Sequence, residues 1–196
     1  MAGEKRRITL GKIDFNAPVI LGMTALSLLL LGLNALLGGR LNHMFAAYYT
    51  SFTDIWMYPR LFTHVLMHQN LAHFTGNFLM ILAIGPLVEE KYGSRALLEM
   101  IIVTAFITGL LHVLFSRGTM LMGASGIVFM LILLASFANI REGSIPLTVV
   151  LVSVLYLGNE IVTGITANDA VSHVSHILGG VCGAGFGVWY HKRSSL

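Results

Sequence analysis

The chain is a succession of long apolar segments separated by short polar stretches, and this pattern constrains its fold more than any other feature. Of its 196 residues, 56% are hydrophobic and 11% are charged, which is too apolar for a soluble domain. A helix needs roughly 20 apolar residues to cross the hydrocarbon core of a bilayer. Six segments fit: Pro18 to Leu37, Leu71 to Val88, Ala96 to Phe115, Gly123 to Ile140, Pro146 to Thr166 and Val171 to His191. The sequence therefore predicts an all-α membrane protein with six transmembrane helices.

The distribution of positive charge predicts the orientation of these helices. With a cytoplasmic N-terminus, nine of the twelve Lys and Arg residues fall on the inner side, and only Arg40, Arg60 and Arg117 fall outside. Cytoplasmic loops carry an excess of Lys and Arg, so both termini are predicted to be cytoplasmic. The first apolar segment is longer than a signal-peptide core and lacks a convincing cleavage site after it, so we expect it to be retained.

The segment pattern also predicts the domain organisation. We expect a basic cytoplasmic segment at 1–17, one six-helix domain at 18–191 and a short cytoplasmic tail at 192–196. The aromatic-rich stretch from Gly38 to Asn70 is expected to lie in the outer interface. Because the basic residues are scattered at segment ends, nucleic-acid binding is excluded. The one cysteine, Cys182, excludes an intrachain disulfide.

Unusual polar residues stand near the outer ends of three helices. The second, fourth and sixth helices all enter from the outside, carrying His73 and Asn77, Ser125, and His176 respectively. His73 and Asn77 are four residues apart, so they share one helix face. We expect these groups to lie at similar depth, where they can form a site with a nucleophile and a base.

The fourth helix is short for a membrane span. From Ser125 to Ile140 there are about 16 residues, or about 24 Å, against roughly 30 Å of hydrocarbon. Its N-terminus is therefore predicted to begin below the membrane surface, with Ser116 to Met122 lining a hydrated cavity. The free N–H groups at this helix start favour an oxyanion beside Ser125.

The sixth helix carries glycines at a spacing of four residues: Gly179, Gly183 and Gly187. Such a series makes a flat ridge on which another helix backbone can approach closely. His176 lies on the same face. We expect the fourth helix to be the neighbour that this ridge contacts.

These motifs resemble those of the rhomboid family of intramembrane serine proteases. The family's GxSG motif corresponds to Gly123-Ala124-Ser125-Gly126, its HxxGxxxG motif to His176 through Gly183, and its HxxxN motif to His73 through Asn77. The stretch Glu89 to Ser94 is similar to the turn that follows the family's second helix.

The resemblance implies a six-helix rhomboid bundle with a catalytic dyad of Ser125 and His176. His73, Asn77 and the backbone amide of Ser125 would stabilise the oxyanion. The implied activity is that of a serine endopeptidase that cleaves transmembrane protein substrates in or near their membrane segments, toward the outer end. It requires no metal and no organic cofactor. The implied location is the lipid bilayer of a bacterial cytoplasmic (inner) membrane, as a multi-pass protein; the oligomeric state is not predicted.

Two positions depart from the family pattern. Pro59-Arg60 stands where many members have Trp-Arg, so the anchoring of the first outer loop is expected to differ. Phe129 stands four residues after the nucleophile, where the family often has Tyr. Its ring is still able to stack on His176 but lacks the hydroxyl.

Two other function classes remain as alternatives. A metal or haem protein would use His64 with His68 and His173 with His176, although the zincin motif HExxH is absent. A proteolytically inactive, client-binding rhomboid relative is disfavoured because Ser125 and His176 are both present.

The remaining ionisable residues are not assigned to the catalytic site. His64 and His68 are expected to organise the outer loop or to lie at the interface. His173 competes with His176 as the base but lacks its spacing to the glycines. Glu160 is costly in lipid, so we expect it to face protein or water, and we assign it no catalytic role.

Overall fold

The computed structural model describes residues 15–137, 147–152, 154–155 and 170–194, and the regular structure of these residues is helical. The helices are α1 (Pro18–Leu36), α2 (Arg40–Phe45), α3 (Met57–Thr63), α4 (Leu71–Tyr92), α5 (Ser94–Phe115), α6 (Ser125–Ser136), α7 (Leu147–Val152) and α8 (Ala170–Ser194). A 3-10 turn, His64–Leu66, directly follows α3. The predicted all-α class is confirmed for the described part of the chain.

Three of these helices, α1, α4 and α5, are long and apolar enough to cross a membrane. They correspond to the first three predicted segments. Helix α4 continues to Tyr92 rather than ending at Val88, so the expected turn is largely helical. The turn itself is made at Gly93, whose φ of 83° is a conformation that favours glycine.

Helix α6 lies at the centre of the fold. It begins at Ser125 rather than at the predicted Gly123, because Gly123 has a φ of 126° and cannot belong to a right-handed helix. Its 12 residues span about 18 Å, less than the roughly 30 Å of hydrocarbon. Residues 126–134 are all buried, as expected for a helix that is apolar on every side. The prediction of a short fourth helix is confirmed.

The glycine ridge of α8 contacts α6 backbone to backbone. A Cβ atom added to Gly179 would lie 2.7 Å from the carbonyl carbon of Gly126, and one added to Gly183 would lie 3.0 Å from the Cα of Met130. Gly187 is covered in the same way by the ring of Phe137. The predicted pairing of the fourth and sixth helices is confirmed, and it depends on residues without side chains.

The start of α1 is held by a carboxylate from α4. Glu89 is buried, and its two oxygens accept hydrogen bonds from the backbone N–H groups of Val19 (2.9 Å) and Ile20 (3.0 Å). Helix α1 has Pro18 at its first position and no side-chain cap of its own. Glu89 therefore acts as an N-terminal cap supplied by a neighbouring helix, where an anion is favoured.

The last two predicted segments are described unequally. Helix α7 covers only the beginning of the fifth segment, and most of its remainder, including Glu160, lies outside the described residues. Helix α8 covers the sixth segment and extends it at both ends, to Ala170 and Ser194.

The segment between α1 and α4, predicted to be the first outer loop, contains α2, α3 and the 3-10 turn. Arg60 of the unusual Pro59-Arg60 pair lies over the ring of Tyr48 at 4.5 Å and forms an ion pair of 3.7 Å with Asp54. Helix α3 packs so closely on α5 that a Cβ on Gly109 would lie 2.9 Å from the Cα of Leu61. Aromatic and aliphatic side chains of the loop are exposed, among them Phe52, Ile55, Trp56 and Tyr58.

Candidate active site

The turn before Ser125 is fixed by backbone hydrogen bonds from the segment between α1 and α4. Leu121 and Ala47 exchange two N–H···O bonds of 2.9 and 3.0 Å in an isolated antiparallel bridge. Two residues later the N–H of Gly123 donates to the carbonyl of His64 at 3.0 Å. Ser125 then opens α6, which has no side-chain cap, so the N–H groups of its first turn are available to a ligand. The serine is partly buried.

His73 and Asn77 of α4 lie directly against this turn. Asn70 caps α4 by accepting the N–H of His73, which sets the helix start and places both residues in its first two turns. A Cβ on Gly123 would lie 2.7 Å from Nε2 of His73 and 3.5 Å from Nδ2 of Asn77. The predicted approach of these two side chains to the serine turn is confirmed, and Gly123 leaves the space for it.

His176 of α8 packs against α6. Its ring stacks on Phe129 with the centroids 4.6 Å apart and an interplanar angle of 11°. Phe129 is four residues after Ser125, so the two side chains share one face of α6. Close approach of Gly179 to Gly126 holds α8 at this position. The predicted stacking of Phe129 on His176 is confirmed.

His68 is a residue of this site that the sequence did not assign to it. It is fully buried, and its Nε2 lies 3.1 Å from Nδ2 of Asn77 and 3.3 Å from the backbone nitrogen of Ala124. Burial, with a smaller effect of His73, lowers the pKa of His68 to about 4. Since His68 lies between the 3-10 turn and α4, no helical periodicity relates it to the other site residues.

A cavity of about 630 Å³ opens beside the site, between the C-terminal end of α5 and the N-terminal part of α8. Its polar lining includes Thr108, His112, Ser116, Thr119 and Ser175. A hydrated cavity lined by Ser116 to Met122 was predicted; Ser116, Arg117 and Thr119 of that segment line this cavity, and its hydration stays a prediction.

His64 anchors the 3-10 turn to α5. Its Nε2 lies 3.1 Å from the carbonyl oxygen of Ala105 and 3.5 Å from the hydroxyl of Thr108. Because a carbonyl only accepts, this nitrogen carries the proton. Burial lowers the pKa of His64 to about 4, so the ring is neutral at physiological pH.

The two histidine pairs of the metal-binding alternative are not arranged to share a metal ion. Nε2 of His64 is directed to a carbonyl of α5 and Nε2 of His68 to the serine turn, so the two nitrogens do not share a ligand position. The rings of His173 and His176 lie at 82° with centroids 6.1 Å apart. Within the described ranges, no group of three His, Cys, Asp or Glu side chains is close enough to hold a metal ion.

A family model of the rhomboid domain matches residues 55–193, which include every site residue named above. The chain belongs to the rhomboid family. The resemblance drawn from the sequence motifs is thus confirmed. Together with α1, α4 and α5, the rhomboid match makes the chain an integral membrane protein.

Curated relatives of this rhomboid-family chain include rhomboid proteases of Enterobacter and Salmonella. Rhomboid protease GlpG of Enterobacter sp. (strain 638) is 37% identical over 78 residues, and rhomboid protease GlpG of Salmonella choleraesuis (strain SC-B67) is 36% identical over 78 residues. In both cases the matched stretch is 40% of this chain and 27% of the relative. The chain therefore matches only about a quarter of the length of these curated relatives.

Proposed function

We propose that the chain is an intramembrane serine endopeptidase with Ser125 as nucleophile and His176 as general base and acid. One observation carries the proposal: the His176 ring stacks on Phe129, on the face of α6 that begins with Ser125. The approach of His73 and Asn77 to Gly123 supports it, because these donors reach the same turn from α4. The relatives named rhomboid protease support the reaction class.

The reaction follows from these positions. Neutral His176 takes the proton of the Ser125 hydroxyl as its Oγ bonds to the carbonyl carbon of a peptide. The tetrahedral intermediate collapses, the C–N bond breaks, and His176 returns the proton to the leaving amine. Water then attacks the acyl-enzyme with His176 as base, which releases a carboxylic acid and restores Ser125. Every step is a proton or acyl transfer, so the proposed mechanism requires no metal or organic cofactor.

The oxyanion of the tetrahedral intermediate would receive three donors. They are the imidazole of His73, the side-chain amide of Asn77 and the backbone N–H of Ser125. The last belongs to the uncapped start of α6, where the helix dipole also favours negative charge. Donors that are already in place when charge develops lower the barrier without reorganising.

We also propose the finer organisation of the bundle. The domain at 18–191 would cross the membrane six times, with both termini cytoplasmic and the site near the outer surface. Its substrates would be transmembrane proteins, cut toward the outer end of their membrane segments. For a bacterial chain, this places the enzyme in the cytoplasmic membrane. The distribution of Lys and Arg supports the orientation.

A covalent probe tests the proposal directly. The purified protein in detergent micelles should be labelled by a fluorophosphonate and should cleave a transmembrane reporter protein, while Ser125→Ala should do neither. Absence of labelling and cleavage by folded wild-type protein would refute the proposal. If the protein binds the reporter without cleaving it, the client-binding alternative is correct.

A further inference from the structure

The imidazole of His68 is held in one orientation by the rings around it. His73, Phe74 and Phe78 contact it edge-on at centroid distances of 5.0, 5.5 and 5.5 Å. No part of the side chain is exposed. In a close-packed interior such a ring cannot rotate without displacing its neighbours. Its Nε2 therefore keeps a fixed direction, toward Asn77 and Ala124.

The backbone N–H of Ala124 determines which tautomer the His68 imidazole adopts. The N–H of Ala124 is a donor in every circumstance, so Nε2 of His68 has to be the unprotonated acceptor. The proton of the neutral ring is then on Nδ1. The same acceptor lies 3.1 Å from the side-chain amide of Asn77, so Asn77 directs its NH₂ group, and not its oxygen, to the ring.

We propose that His68 is a positioning residue for the reaction, which fixes the Asn77 amide and the backbone before Ser125 to one shared acceptor. This inference rests on the proposed function. One N–H of Asn77 is used by His68, and the second remains for the oxyanion. Because Nε2 also accepts the N–H of Ala124, the residue before Ser125, the Asn77 amide and the Ser125 N–H are held at a set separation.

The contact also excludes a harmful alternative. If the Asn77 amide were rotated by half a turn, its oxygen would take the place of its nitrogen and would repel the developing oxyanion. With His68 as acceptor, the rotated amide would place two lone pairs against each other in a buried site, which is unfavourable. Without His68 the correct orientation loses this preference.

Two substitutions distinguish the role of His68 as a hydrogen-bond acceptor from its role in packing. His68→Phe keeps a ring of similar size and removes the acceptor, whereas His68→Gln retains a carbonyl oxygen that can reach the position of Nε2. We expect His68→Phe to lower kcat by about 10- to 100-fold, the range of a weakened oxyanion donor, with a much smaller change in KM. His68→Gln should retain a clearly larger share of kcat. Equal kcat values for wild type and folded His68→Phe would overturn the proposal.

Coupling to Asn77 provides the second measurement. If His68 acts largely through Asn77, the loss caused by His68→Phe should shrink in an Asn77→Ala background. Losses that multiply in full would show that His68 only packs, and would overturn the proposal. Thermal unfolding of each variant identifies any that do not fold.

Nuclear magnetic resonance tests the tautomer without relying on a variant that folds poorly. In wild-type protein labelled with ¹⁵N-histidine, His68 should show a protonated Nδ1 and an unprotonated Nε2, with its signals assigned from the His68→Gln spectrum. A protonated Nε2 would contradict the inference. A wild-type protein without Ser125-dependent cleavage would refute the proposed function and this inference with it. Because the tautomer and the cleavage are measured separately, failure of the inference alone is distinguishable from failure of the proposed function.

Discussion

At the scale of single residues, the proposed nucleophile and base both stand beside glycine. Gly123 and Gly126 flank the Ser125 turn, and Gly179 follows His176 by three residues. Gly123 admits the His73 ring, and Gly179 admits the backbone of Gly126. The placement of the proposed catalytic side chains therefore depends on nearby glycines, which have no side chain to block the approach.

Ser125 and His176 should behave as one unit. Ser125→Ala and His176→Ala are each expected to lower kcat by at least about a thousandfold, and the double variant should be little worse, because either loss alone stops proton and acyl transfer. Cleavage of a transmembrane reporter by the purified variants measures this. His173→Ala is the matched control and should retain substantial activity. If His173→Ala is inactive while His176→Ala cleaves, the base has been assigned to the wrong histidine.

Asn77 should contribute to turnover more than to binding. Asn77→Ala is expected to lower kcat by about 10- to 1,000-fold, because the oxyanion loses one donor while His73 and the Ser125 amide remain. KM should change less. Measuring kcat, KM and thermal unfolding together separates this from a structural role. A variant that unfolds earlier but keeps normal kcat per folded molecule would remove Asn77 from the oxyanion site.

The sequence predicted some residue contacts and missed others for a definable reason. Helical spacing related His73 to Asn77 and Phe129 to Ser125, so their shared faces could be predicted. His68 lies outside any long helix, and its partner Ala124 is 56 residues away in a turn. No periodicity links such positions, so the contact becomes visible only in three dimensions.

At the scale of helices, the α6 and α8 pair depends on the glycine ridge. Gly183→Ala would place a Cβ against the carbonyl oxygen of Met130 and 3.0 Å from its Cα, and overpacking of this kind costs about 1–3 kcal/mol. We expect a lower unfolding temperature and lower activity. Gly185, two residues along, has nothing within 4 Å of an added Cβ. Gly185→Ala should therefore unfold at or above the wild-type temperature, and equal unfolding of both variants would contradict the ridge.

Helix existence was easier to predict than helix ends. Apolar length identified the segments of α1, α4, α5 and α8 correctly. The start of α6 was placed two residues early, because the positive φ of Gly123 is a property of the folded turn and not of hydropathy. The end of α4 was placed four residues early, because the stretch Glu89 to Ser94 was interpreted as a turn, whereas Glu89 is a buried helical residue whose hydrogen-bond partners lie in α1.

At the scale of the whole molecule, Glu89 connects the N-terminal helix to the rest of the fold. The rhomboid match begins at residue 55, after α1. Glu89→Gln should destabilise the protein by about 1–3 kcal/mol, since one of the two N–H groups, of Val19 or of the buried Ile20, loses its acceptor. Thermal unfolding in detergent measures this, and Glu90→Gln, at the exposed neighbouring position, is the control. Indistinguishable unfolding of the two variants would show that Glu89 does not hold α1.

The backbone contact between α6 and α8 has a mechanical consequence. Helices that touch through side chains can slide as rotamers change, but Gly179 and Gly183 meet the α6 backbone itself and leave no such slack. Ser125 and His176 are therefore carried by a pair of helices that moves as a rigid body. Under the proposed function, a polypeptide that enters from the lipid would have to reach them by displacing other parts of the bundle. The opening that admits it and the alignment that cleaves it could then vary independently.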